Sequence, residues 1–186
     1  MIEVSAETIE RVEALLAGVP KGAERALSNA MNRGLSKMKT GAAKKVREVY
    51  AVQSSAINEA TNTRIQKAST GNLAGYIHFS GYKIPLYKFK VTPKAPGVKK
   101  QVTAAVKKGG GTAFENAFIA QMKSGHIGVF ERETSKRFPI EEKMGLAMAQ
   151  MVGNTNVMTE LEKEAQKTVD ERIVHEIDRL LNGYGG

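Results

Sequence analysis

The spacing of apolar residues changes twice along this chain, and that change limits its fold more than any other feature. From Lys21 to Tyr50 the apolar positions Ala26/Leu27, Ala30/Met31, Leu35, Met38, Ala42, Val46 and Val49 recur every three or four residues. That period lines them along one face of a helix. From about Thr63 the period falls to two, the alternation of half-buried strands. Beyond Pro139 it returns to three and four. Strands grouped between helices, rather than interleaved with them, indicate an α+β fold. The expectation is N-terminal helices, a central mostly antiparallel β-sheet with a hairpin near 117–132, and a long C-terminal helix. One domain over 1–186 would hold a helical region (1–58), a β-rich region (63–132) and C-terminal helices (140–183).

The helical segments carry two distinct stripes. Ile9, Val12, Leu15 and Leu16 mark a short first helix that stops at Gly18-Val19-Pro20. On the second, Arg33, Lys37, Lys44 and Arg47 form a basic stripe away from the apolar face. Gly34 and Gly41 each weaken that helix by about 1 kcal/mol relative to Ala, so a bend or break is expected near Thr40-Gly41. The last helix opens at Asn154 or Thr155 and stops at Asn182-Gly183, some 40 Å at ~1.5 Å per residue. Its apolar residues Val157, Leu161, Ala165, Val169, Ile173 and Ile177 come at steps of four, and each step overruns one turn by about 40°. The stripe therefore winds, and Val174, Leu180 and Leu181 widen it near the end. Two surfaces could cover such a stripe. A second subunit would pack on Val157, Leu161, Val169, Ile173, Ile177, Leu180 and Leu181; alternatively, the helix lies along its own sheet. Before it, Met144, Met148 and Met151/Val152 predict a Met-rich helix with a packing role.

In the middle, Leu73, Ile77 and Phe79 alternate with Tyr76 and His78. Tyr87, Phe89 and Val91 alternate with Lys88 and Lys90. Past the Thr92–Gly97 loop, Val98, Val102, Ala104 and Val106 alternate with Lys99, Gln101, Thr103 and Lys107. Lys100 and Lys108 adjoin this set. Lys88, Lys90, Lys99, Lys100, Lys107 and Lys108 are thus expected on one solvent face, to meet a polyanion or an acidic neighbour. Lysines along strand edges also block unwanted pairing, and both reasons stand. Gly109-Gly110-Gly111 reads as a wide turn, without the Lys-Ser/Thr that ends a phosphate loop. Phe118, Ala120 and Met122 lead to Ser124-Gly125, and Ile127 and Val129 lead away: a hairpin.

Charge is partitioned in the same way. Residues 1–20 hold one basic and four acidic side chains (−3), residues 21–111 hold 18 and three (+15), and residues 112–186 hold nine and 12 (−3), which together return the formal +9. Such a block attracts anionic partners over a distance and less so as salt rises. Site chemistry is sparse by comparison. The chain has no Cys, which removes disulfides, thiolate metal sites and Cys nucleophiles. Its three His lack metal-ligand spacing; His126 falls at the hairpin turn, and His175 lies between Glu171 and Asp178 on a solvated helix face. Asp occurs only at Asp170 and Asp178. No catalytic, cofactor or metal set emerges. No export signal is visible near the start, and the longest uncharged run, Met144–Thr159, is too short and polar for a membrane span. Tyr76, Tyr82, Tyr87 and Phe89 lie among the lysines, as in sheets that stack bases. However, Tyr87 and Phe89 alternate away from Lys88 and Lys90, and no nucleic-acid motif accompanies them. A non-specific DNA-binding protein remains the alternative to a structural one.

The run Ala117-Phe118-Ile119-Ala120-Gln121-Met122-Lys123-Ser124-Gly125-His126-Ile127-Gly128-Val129-Phe130-Glu131-Arg132, followed by Arg137-Phe138-Pro139-Ile140, resembles the minor tail protein Z family of tailed phages and prophages. Ile84-Pro85-Leu86-Tyr87-Lys88-Phe89 and Arg172-Ile173-Val174-His175-Glu176-Ile177-Asp178-Arg179-Leu180-Leu181 fit the same layout. Gly145-Leu146-Ala147 departs from it, where a Gly-Pro turn is expected. The resemblance implies a tail-completion, head–tail joining protein of the virion, made in the host cytoplasm and lacking catalytic residues. Its partners would be itself in a hexameric ring, the tail terminator, tail tube and head–tail connector, and the end of the packaged DNA; no membrane is implied.

Overall fold

The computed structural model describes residues 3–183, so the ends of the expected 1–186 domain lie outside the described residues. The residues cluster into two compact units, each assembled from separated stretches of chain. The first comprises the chain up to Ala42, Thr63–His78, and the chain from Thr155 onward; the second comprises Ala43–Asn62 and Phe79–Asn154.

The first unit is helical. Helix α1 (Ala6–Leu15) starts at Ser5, whose Oγ accepts from the Thr8 backbone N–H at 3.2 Å and so satisfies one of the helix's free donors. Helix α2 (Gly22–Val49) runs unbroken through Gly34 and Gly41, so the break expected near Thr40-Gly41 is not there. Packing accounts for this. Gly41 faces the Leu161 side chain of the C-terminal helix, here the last element α5 (Thr155–Leu181), and tertiary contact outweighs a propensity loss of about 1 kcal/mol. Val12 and Leu16, the small residues Ala23, Ala26 and Ala30 with Leu27, and Val169, Ile173 and Leu180 of α5 make one buried cluster. Alanines on α2 let the helices approach closely, and Val4, Ile9, Val19, Leu73 and Ile177 close the cluster's edge. Helix α5 ends where expected: Asn182 N–H and its side-chain amide both donate to the Asp178 carbonyl, and Gly183 takes the left-handed conformation (φ 77°).

The second unit holds strands β3 to β10 with helix α3 (Ser54–Ala60), which leads into strand β1 (Thr61–Gln66), most of which belongs to the first unit. Strand β2 (Tyr76–Gly81) pairs with β1. Strands β3 (Lys83–Pro85), β4 (Lys90–Thr92), β5 (Val102–Ala105), β6 (Thr112–Phe114), β7 (Ala117–Gln121), β8 (Ile127–Arg132), β9 (Ile140–Glu142) and β10 (Met144–Ala147) follow, then helix α4 (Met148–Val152). The pairings β3–β10, β4–β5–β6 and β7–β8–β9 are antiparallel, so the expected sheet is divided into small sheets of two or three strands. Pro and Gly cut the strands short: Pro85 ends β3, and a 3₁₀ turn over Leu86–Lys88 replaces the strand expected through Tyr87. The hairpin lies where expected. Gln121 pairs with Ile127, and Gly125 turns the chain at φ 85°, a conformation open to glycine at no steric cost.

Residues 144–147 were expected to open the Met-rich helix; they form β10 instead, paired with β3, and Met144 is exposed. Helix begins only at Met148, which is buried with Met151 and Val152. Gly145 gives the reason. A Cβ there would lie 2.9 Å from Phe89 Cζ and closer still to Cε2, so the buried Phe89 ring packs directly on the strand backbone.

Candidate interaction surfaces

The basic stripe on α2 is present as spaced. Arg33, Lys37, Lys44 and Arg47 are all exposed, and at about 100° per residue they fall within an arc of about 80°. The opposite side carries the buried Leu35, Met38, Ala42 and Val46.

The six lysines of the β-rich segment separate into two groups. Antiparallel pairing sets Lys90 opposite Ala105 and Thr92 opposite Thr103. Lys88, Lys90, Lys107 and Lys108 therefore gather at one end of the β4–β5 pair, and Lys99 and Lys100 stand in the connecting loop at the other. Buried Val91, Val102 and Ala104 fix which side of this pair faces the core. Five of the lysines are exposed, whereas the 3₁₀ turn leaves Lys88 half-buried. Lys107 is held at its end: it bridges to Tyr50, its ammonium stands 6.0 Å from that ring, and Lys108 N–H donates to the Val49 carbonyl at 2.9 Å. Val98 does not alternate inward as expected. It lies in the loop, 40% exposed beside Lys99 and Lys100.

On α5, Val157, Leu161, Val169, Ile173 and Leu180 are buried within the chain itself. Ile177 is half-buried and Leu181 exposed, with Val174 exposed beside them. The apolar surface left at this end lines an open groove with α1, floored by Leu15, Ile173, Val174 and Ile177 and edged by Arg11, Asp170 and Asp178.

The buried line of α5 also corrects the stripe read from spacing. It runs 157, 161, 165, 169, 173 and then steps by three to Glu176 and by four to Leu180. Repeated steps of four drift around the helix, and one step of three restores the line. A carboxylate thus occupies the place expected for Ile177, at 1% exposure. Arg179 donates to Glu176 Oε2 from Nε at 3.0 Å and contacts it through Nη2 at 2.8 Å, while Asn29 of α2 donates to the same oxygen at 3.2 Å. Arg172 Nη2 lies 2.6 Å from Oε1, but that oxygen has no aligned hydrogen bond, so the contact supplies charge neutralisation alone. Burial pushes the Glu176 carboxyl up. The Asn29 hydrogen bond and the two guanidiniums outweigh it and hold the group below the usual carboxylate range.

Around the hairpin, His126 Nε2 lies 2.7 Å from Glu142 Oε1, and Phe118 and Phe130 pack at a 6.2 Å centroid separation with the Arg132 guanidinium over Phe118. Lys143 is ion-paired with Glu131, and the hydrogen bond from this pair raises its ammonium above the ordinary lysine range against the effect of burial. His175 is exposed on α5. Among the described residues no cluster of three His, Asp or Glu could hold a metal ion, and no helix is long and apolar enough to cross a membrane.

No curated protein and no solved structure matches the chain. The family model of prophage minor tail protein Z (GPZ) does match, over residues 7–184, from within α1 to beyond the end of α5, and the chain belongs to that family.

Proposed function

We propose that this protein is a tail-completion subunit that forms a ring at the head-proximal end of the phage tail and helps join the tail to the head. Membership of the family makes it a phage minor tail protein, a structural component that meets other tail components in the virion. The observation that carries the finer reading is the pair of exposed cationic surfaces, one along α2 and one at the ends of β4–β5, on a chain with a formal charge of +9. Surfaces of this kind suit acidic faces of neighbouring rings or the end of the packaged DNA. A structural part built around the tail axis closes most simply as a cyclic ring, in which each heterologous contact repeats without open ends. Sixfold symmetry would match a tail tube, and the neighbours would be tail terminator, tail tube and head–tail connector. No catalytic step enters this reading.

Particles assembled without the protein test it directly. They should yield filled heads and full-length tails that do not join productively, and labelled antibody should mark the head-proximal end of normal tails. Normal joining and infectivity in its absence would refute the reading. If the isolated monomer instead binds duplex DNA tightly and without sequence preference while particles assemble normally, the DNA-binding alternative takes its place.

A further inference from the structure

The Glu176 network does more than neutralise a buried charge: it sets two arginines in place beside two further cations. Arg172 and Arg179, one turn of α5 before and one turn after Glu176, line an open pocket of about 350 Å³ together with Arg33 of α2 and Lys67 of the β1–β2 connection. Lys67 is placed by its neighbour. Asn32 donates to the Ala68 carbonyl at 2.9 Å and accepts from the Ala68 N–H at 2.8 Å, so one side-chain amide clamps the connection onto α2. Four cations line the pocket against one carboxylate, a formal +3. That carboxylate is already engaged by both α5 arginines, and among the described residues neither Arg33 nor Lys67 has an acidic partner.

We propose that this pocket is a binding site for a phosphate group. Glu176 accepts a hydrogen bond from Arg179 Nε and pairs by charge with Arg179 Nη2 and Arg172 Nη2, and the guanidinium N–H groups turned away from it are left for a ligand. Their positions are fixed beforehand by a buried anchor, which reduces the ordering cost of binding. A phosphate accepts from several sides at once, and arginine pairs fork onto its oxygens with charge-assisted bonds. A carboxylate from an acidic protein offers two oxygens in one plane and fits donors on two helices and a loop less completely. Either a free phosphate or a backbone phosphate of nucleic acid carries the required chemistry. The site stands whether or not the chain forms a ring.

The test uses the full-length protein, inorganic phosphate, and a labelled mixed-sequence duplex, all at fixed ionic strength. Arg33→Gln with Lys67→Gln removes two exposed cations and leaves the buried network alone; Lys163→Gln with Lys167→Gln removes the same charge from an exposed stretch of α5 outside the pocket. Phosphate should raise the thermal midpoint of the wild type above a chloride control and should do so equally in the Lys163/Lys167 variant. The Arg33/Lys67 variant should lose most of that rise. If a backbone phosphate is the ligand, duplex affinity should also fall about tenfold in the Arg33/Lys67 variant alone, with the log–log salt slope reduced by about 1. Loss of the phosphate response with unchanged duplex binding would assign the site to the free ion. No phosphate response in the wild type, or equal losses in the two variants, would overturn the proposal.

Discussion

Replacing Glu176 by Gln keeps the shape of the side chain and removes the charge that two arginines face. The carboxylate is 1% exposed, with Arg172 at 2.6 Å and Arg179 at 2.8 Å. Breaking a fully buried ion pair from one side costs about 3–5 kcal/mol. Here the guanidinium side chains are 37% and 34% exposed, so water takes up part of the stranded charge, and the cost should fall to about 2–3 kcal/mol at pH 7. Urea unfolding followed by helical circular dichroism measures this as a shift in midpoint at constant slope. Acid should erase the difference. Glu176 titrates lower in the folded chain than unfolded, so its contribution is complete above the unfolded carboxylate pKa and is lost as pH falls through the folded value. The wild-type advantage should therefore hold from pH 7 to about 5 and shrink below about 4.5. Glu176→Leu provides the complementary measurement, because apolar replacement of a buried ion cluster is often neutral or stabilising. An E176Q variant as stable as the wild type at pH 7, or a gap that does not change down to pH 3, would refute the assignment of Glu176 as a charged, neutralised core group.

Gly41→Ala should stabilise the chain by about 0.5–1 kcal/mol, since the new Cβ would meet Leu161 Cδ2 at an ordinary 3.4 Å and the helix interior gains propensity; thermal unfolding would show it. Gly145→Ala should cost about 1–3 kcal/mol by overpacking against Phe89, read by the same melt. Replacing Lys88, Lys90, Lys99, Lys100, Lys107 and Lys108 together by Gln should leave circular dichroism unchanged, while head–tail joining weakens and becomes more salt-sensitive in an in vitro complementation assay. Fully normal joining by that variant would reduce these lysines to a solubilising role.

Long elements were legible in the sequence because their periods repeat often enough to be unambiguous. The apolar line of α2 and the ends of α5 stand where spacing and turn chemistry place them, and so does the Ser124-Gly125 hairpin. Short elements were not. Strand β10 has four residues, too few to display a period of two, and Met144, Met148 and Met151 happen to carry helical spacing across a strand-to-helix junction. The requirement for Gly145 comes from Phe89, more than fifty residues earlier, and no local pattern can report a contact of that kind. Likewise, the single lysine face inferred from alternation depended on a strand running through Tyr87 and Val98, whereas Tyr87 lies in the 3₁₀ turn and Val98 in a loop.

The α5 stripe shows how a reading of surfaces depends on which residues the chain has already used. An apolar line on an overlong helix asks for two coverings, and most of this one is covered internally, by α1 and the alanine-rich side of α2 around its C-terminal half. What remains for a neighbour is the margin at Val174, Ile177 and Leu181. The charged residues Arg172, Glu176 and Arg179 resemble a solvent-exposed ladder when read at i, i+4 and i+3 spacing alone. Their position relative to Ile173 and Leu180 was the available signal, because a residue three after one core position and four before the next must itself point inward. Read that way, Glu176 becomes a buried anchor, the arginines become fixed donors, and the helix whose apolar stripe suggests a subunit contact also lines the proposed anion site.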